Sequence, residues 1–124
     1  MPYRLKCHPE RVSTKEIEGL TKDLRIEVKA ALLDLHRFGP QPEGRHVKPL
    51  GKKIGYLWQM NLKVNREQVR ILYFPNGQDE IVVVSVFTKT SPQEEQREYG
   101  NAVARKAQAE AILLADPNGG TSIH

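Results

Sequence analysis

The chain has 124 residues, enough for one hydrophobic core but not two, and its 19 Lys and Arg against 15 Asp and Glu give a formal charge of +4 and a pI near 9.3. That balance suits an anionic partner without requiring one. A single cysteine, Cys7, excludes an intrachain disulfide and a cysteine-built zinc site. No apolar run reaches membrane-spanning length and no signal-peptide core follows Met1, so the expectation is a cytoplasmic protein without a membrane partner.

In chain order, Tyr3–Cys7 reads as a short strand leading into Pro9. Two helices follow. The first spans roughly residues 9–20, with apolar Val12, Ile17 and Leu20, and stops near Gly19. The second, Lys22–Phe38, places Leu24, Val28, Ala31, Leu32 and Leu35 at helical spacing and ends at Gly39-Pro40, a C-cap followed by a breaker. Together they predict a helical hairpin with one buried stripe. Residues 39–56 (GPQPEGRHVKPLGKKIGY) are rich in proline and glycine, which predicts a long basic loop carrying Arg45, His46, Lys48, Lys52 and Lys53.

Three strands come next. In LWQMNLKV, Trp58, Met60, Leu62 and Val64 alternate with Gln59, Asn61 and Lys63, the period of a strand buried on one face. Asn65-Arg66 suits a two-residue hairpin turn into EQVRILYF. That turn sets Lys63 opposite Gln68 and Asn61 opposite Arg70, with these four on one face and Trp58, Met60, Leu62, Val69, Ile71 and Tyr73 on the other. A second turn at Pro75-Asn76-Gly77 leads into IVVVSVFTK. Ser91-Pro92-Gln93-Glu94 supplies an N-cap, a proline at the first helical position and the acid of a capping box, so a helix starts there and runs to about Leu114. The expected organisation is one α+β domain over residues 1–115, ordered β-α-α-β-β-β-α, with helices on the apolar face of a small antiparallel sheet. Residues 116–124 are expected to form a disordered tail.

The positive charge lies early. Residues 1–56 hold twelve Lys and Arg against seven Asp and Glu, whereas residues 91–124 hold three against five. The sheet thus has an apolar back and a basic front, which points to a phosphate-rich partner. Lys48, Lys52 and Lys53 are candidate phosphate-backbone contacts, with Arg66 at the hairpin turn, and Phe87 is a candidate to stack on a base. His46 is the one histidine placed for proton transfer, while His8 and His36 read as structural. No two histidines have metal-ligand spacing and no phosphate-binding glycine motif is present, so neither metal nor cofactor is expected.

The chain resembles the RelE/HigB superfamily of toxins from type II toxin–antitoxin systems, and within it the HigB-like, phage-related branch. The resemblance rests on His8-Pro9 after the first strand, the KPLG segment Lys48–Gly51, the hairpin ending RILYF at Phe74, and the F-x-K of Phe87–Lys89 before a proline-capped helix. It covers roughly residues 3–110 and implies a RelE-like fold. It also implies an endoribonuclease (an mRNA interferase) that cuts messenger RNA on the ribosome through the 2′-hydroxyl without metal, and that a helix-turn-helix, HigA-like antitoxin silences. In that family the position of Arg70 contacts the scissile phosphate, that of Lys63 serves as general base or phosphate contact, and that of Lys89 closes the F-x-K motif.

The chemistry is consistent. Such cleavage needs a proton acceptor, cations against the developing phosphorane charge and a proton donor. Arginine fits only the second role, and lysine fits the others when neighbouring cations depress its pKa. The chain departs from its relatives in having Lys89-Thr90 where many have two basic residues, and Gln59 and Asn61 where many have Glu and Arg. The proton donor is unassigned, although Tyr99 is available. Two other readings stay open: a ParE-like toxin that inhibits gyrase without cleaving anything, and an inactive phage-derived RNA-binding relic.

Overall fold

A computed structural model describes residues 2–115, so the expected tail at 116–124 lies outside the described residues. Strand β1 (Arg4–Cys7) is followed by a π-helical turn at Val12–Ile17 and helix α1 (Lys22–Phe38). Strand β2 (His46–Pro49) and a 3-10 turn at Lys52–Ile54 lead into β3 (Trp58–Val64), β4 (Glu67–Asn76), β5 (Glu80–Thr88) and helix α2 (Pro92–Ala115). The five strands form one mixed sheet in the order β1-β5-β4-β3-β2, with β1 parallel to β5 and every other pair antiparallel. The architecture is α+β.

Helix α1 follows its stripe. Leu24, Val28, Ala31 and Leu35 are buried, and the helix stops at Gly39, whose N–H donates to the Leu35 carbonyl at 3.0 Å. Gly39 has φ 92°, and a Cβ there would meet the Tyr3 ring at 2.8 Å, so both conformation and space call for glycine. The first expected helix is a correction: only six residues form a turn, and it is π-helical. The Ser13 and Thr14 hydroxyls donate to the Glu10 carbonyl at 3.0 and 3.3 Å, the local bonding by which such side chains compete with regular helix.

The 39–56 segment is a second correction. It is not wholly irregular, because residues 46–49 pair with β3 in the register His46↔Asn61 to Pro49↔Trp58. Four residues are too few to show a period, and the proline sits at the end of an edge strand, where its missing N–H does no harm. The β3–β4 hairpin turns at Asn65-Arg66 as expected, with Asn61↔Arg70 and Lys63↔Gln68 in register and Asn65 at φ 58°. The second hairpin turns later than expected, at residues 77–79, with Asn76 paired to Glu80 inside the ladder.

The third correction decides the site. Met60, Leu62, Val69, Ile71 and Tyr73 face the α1 side and join Val12, Ile17, Leu24, Val28 and Leu35 in one core. The opposite face, expected to be an open basic front, is half covered by α2. Leu57, Leu72, Phe74, Val82, Val84 and Phe87 form a second core there with Tyr99, Ala102 and Ala109, so the chain builds two cores where its length suggested one, because both faces of a single sheet are covered. Strands β4 and β5 are therefore buried on both faces, and such strands read as unbroken apolar runs rather than alternations.

Candidate functional site on the α2 face of the sheet

The strand register sorts the polar side chains of this face into cross-strand rows. His46, Asn61, Arg70 and Phe87 lie in one row, and Lys48, Gln59, Leu72 and Ser85 in the next. On the other side of the Arg70 row, Lys63 lies opposite Gln68, whose carbonyl accepts the Lys89 N–H at 2.8 Å. Lys63 and Gln68 are thus cross-strand neighbours, and Lys89, the first residue past β5, continues the ladder beside Gln68. Side chains directly opposite on one face stand about 5 Å apart at Cβ. Helix α2 covers the β4–β5 side, leaving His46, Lys48, Lys63, Gln68 and Lys89 exposed.

Arg70 is placed differently. It is only 8% exposed and is the one charged residue that is buried among the described residues. One terminal nitrogen, Nη1, is ion-paired to the Glu95 carboxylate and donates to the Tyr99 hydroxyl at 3.3 Å. Tyr99 donates in turn to Gln59 Oε1 at 2.5 Å, and Gln59 Nε2 donates to Asn61 Oδ1 at 3.0 Å. The row beneath the first turns of α2 is therefore a continuous chain, Glu95–Arg70–Tyr99–Gln59–Asn61, built from three elements. One donor is left over: Arg70 Nε is buried with no partner. Burial, with the Glu95 charge beside it, pushes the Tyr99 hydroxyl above its ordinary pKa of 10.0, so it stays a neutral proton carrier.

Local sequence explains how α2 gets there. The Ser91 hydroxyl accepts the Glu94 N–H at 3.2 Å, fixing the first turn, while the Glu94 carboxylate turns to Arg97 instead of completing the capping box. Glu95 and Tyr99, one helical turn apart, then face the sheet with Ala102 behind them, and Glu98 accepts from Ser85 at 3.3 Å. At the far side Lys106 donates to the Gly55 carbonyl at 2.8 Å and sits over the Phe74 ring, holding the 3-10 turn that carries Lys52 and Lys53. A cavity of about 270 Å³ opens between that turn and α2, lined by Lys53, Ile54, Gln96, Tyr99, Gly100 and Val103. Two larger clefts, of about 430 and 570 Å³, lie around the loop between α1 and β2.

Of the residues expected from sequence, Lys63 and Lys89 are brought together with the Arg70 row, and Lys48 lies one row beyond it. Among the described residues none of Lys48, Lys52, Lys53, Lys63, Arg66 and Lys89 forms an ion pair. Arg66 stays at the exposed tip of the hairpin, and Lys52 and Lys53 stand on the separate 3-10 turn. Phe87 does not offer a ring face. It is 8% exposed and packs edge-on against Tyr99 at 6.5 Å and 81°, so its place here is packing. Tyr73 is core, as its parity on β4 required, and donates to the Pro40 carbonyl at 2.5 Å.

Glu95 and the linking role of Gln59 were not anticipated. The available signal was parity on β3, which puts Gln59 on the Arg70 face, and the four-residue spacing of Glu95 and Tyr99. No group of three His, Cys, Asp or Glu side chains fit for a metal occurs among the described residues. No described helix is long and apolar enough to cross a membrane.

A family model described as phage derived protein Gp49-like (DUF891) matches residues 15–112. No curated protein and no solved structure matches the chain.

Proposed function

This chain belongs to the Gp49-like phage-derived family, a toxin-like family related to the RelE/HigB-like toxins, and on that premise we propose that it is the toxin of a type II toxin–antitoxin pair and acts as a ribosome-dependent mRNA endoribonuclease. The observation that carries the reading is the register: Lys63, Lys89 and Lys48 bracket Arg70 on one sheet face, and the three lysines are exposed. Cations so arranged suit an RNA backbone that crosses the strands. In this reading Arg70 neutralises charge that develops on the scissile phosphate, and Lys63 and Lys89 hold the flanking phosphates. His46, in the same row as Arg70, and Tyr99, bonded to Arg70, are the groups able to move protons without metal. A HigA-like antitoxin is the expected silencing partner.

One observation favours the ParE-like reading: the charge of Arg70 is already neutralised by Glu95. Expression of the wild type, Arg70→Ala and Lys63→Ala/Lys89→Ala, followed by transcript-end mapping and a supercoiling assay, separates the two. Codon-phased cuts in wild type that fall at least 100-fold in Arg70→Ala are expected, on the scale of losing one transition-state donor. Growth arrest with intact transcripts and altered supercoiling would replace the nuclease by a gyrase inhibitor.

A further inference from the structure

The arginine at the centre of the cationic face already holds an anion from its own chain. The first turns of α2 carry three acids with different partners. Glu94 is paired with Arg97, Glu98 accepts from Ser85, and Glu95 alone reaches Arg70. To a guanidinium, a carboxylate and a phosphodiester look alike, since both present charged oxygens to its N–H groups. We propose that Glu95 is an internal stand-in for a phosphate: it occupies Arg70 in the free protein, an RNA phosphodiester takes its place on binding, and Glu95 thereby sets the affinity of the site. The inference rests on the nuclease-site reading above, which it deepens by naming the competitor an RNA must displace.

Several features support exchange rather than a permanent structural pair. Glu95 engages only Nη1, and Arg70 Nε is left buried without a partner, so the internal anion fits the guanidinium incompletely. A ligand with more oxygens can complete the set. The Glu95 side chain is still 16% exposed, against 9% for that of Arg70, so it lies on the solvent side of the pair and has somewhere to go. When it swings out, Arg70 keeps the Tyr99 hydroxyl, so the guanidinium is not stranded. Glu95 also lies within the first turns of α2, and helix ends open more readily than helix middles. The neighbouring cations have no such internal anion among the described residues. Lys63 and Lys89 are therefore free to collect an RNA before the exchange at Arg70.

The test uses the full chain and a single-stranded 2′-O-methyl RNA oligonucleotide, which binds but cannot be cut. Affinity is measured across a salt series for wild type, Glu95→Gln and Glu94→Gln, the last making the same charge change one residue away on a group paired to Arg97. Glu95→Gln should bind about tenfold tighter at every salt concentration, with a log–log salt slope close to that of wild type, because the bound RNA makes the same phosphate contact with Arg70 in both forms. Glu94→Gln should change affinity less than about twofold, on the scale of an exposed pair. Should Glu95→Gln fail to fold, Glu95→Asp, which keeps the charge but falls short of Arg70, should shift affinity in the same direction.

Equal effects of the two Gln variants would mean general charge, not exchange, and would overturn the proposal. Weaker binding by a well-folded Glu95→Gln would overturn it too, making Glu95 a residue that positions Arg70. Tighter binding by Glu95→Gln with no messenger cleavage by either form would leave the exchange standing and remove the nuclease reading. Cleavage by wild type with no change in Glu95→Gln affinity would do the reverse.

Discussion

Arg70 stands between Val69 and Ile71 in a strand buried on both faces, which is an expensive place for a charge unless it is paired. Its pairing with Glu95 makes the two residues one unit: removing Arg70 leaves the Glu95 carboxylate nearly buried and unpaired, and removing Glu95 leaves the guanidinium with the Tyr99 hydroxyl alone. Arg70→Ala should therefore lower unfolding free energy by about 3 kcal/mol, whereas Arg70→Met combined with Glu95→Leu should return to within about 1 kcal/mol of wild type. Urea titrations of Arg70→Ala, Arg70→Met, Glu95→Leu and the Arg70→Met/Glu95→Leu double variant check this. Additive losses would mean that the pair is not coupled. The same unit explains why the residue was only half legible. A lone charge in VRILYF marks Arg70 as special from sequence, but its partner lies 25 residues away on a different element.

At the scale of elements, the sheet edge depends on side chains. Strand β1 is short and pairs with β5 only as far as Val83, so the rest of β5 lacks a neighbour on that side. The Val86 N–H donates to Glu16 Oε1 at 3.0 Å and the Val84 carbonyl accepts from Arg105 at 2.8 Å, while Glu16 and Arg105 pair with each other at 2.8 Å. The π-helical turn and α2 are thereby clamped across the end of β5 that no strand pairs. Glu16→Ala should destabilise the fold by about 2 kcal/mol, since it strands the buried Val86 amide and removes the anion beside the half-buried Arg105. Faster hydrogen exchange at the Val86 amide, beyond any general rise, is the local signature. The helix that makes half of this clamp was readable from its cap and proline. The π-helical turn was not, because its six residues carry no distinct period.

At the scale of the whole molecule, two cores share one sheet, and a buried tyrosine stands in each. Burial raises Tyr73 and Tyr99 above the ordinary 10.0, so the folded state favours their neutral forms. The stability this protects is fully present below pH 10 and is lost as pH rises past it, because the unfolded chain then releases phenolic protons that the folded chain retains. Unfolding free energy should fall as pH rises above about 10. Tyr73→Phe should flatten that fall, although it also loses the bond that ties β4 to the loop at Pro40. His8 acts in the opposite direction. Burial holds it below its ordinary 6.5, so its contribution is present above that value and fades as pH falls through it.

By itself the sequence determined the α+β class, the extent of α1, the start of α2, and the β3–β4 register that sets Asn61 beside Arg70 and Lys63 beside Gln68. Those are local matters, decided by side-chain period, caps and a two-residue turn. Only the tertiary structure decided which face α2 covers. The unbroken runs VRILYF and IVVVSVF carried the hint, since strands so apolar need cover on both faces. Which helix supplies that cover depends on packing between distant segments. That choice turned Arg70 from an open cation on a basic face into a buried, neutralised one, while Lys63 and Lys89 beside it stayed exposed.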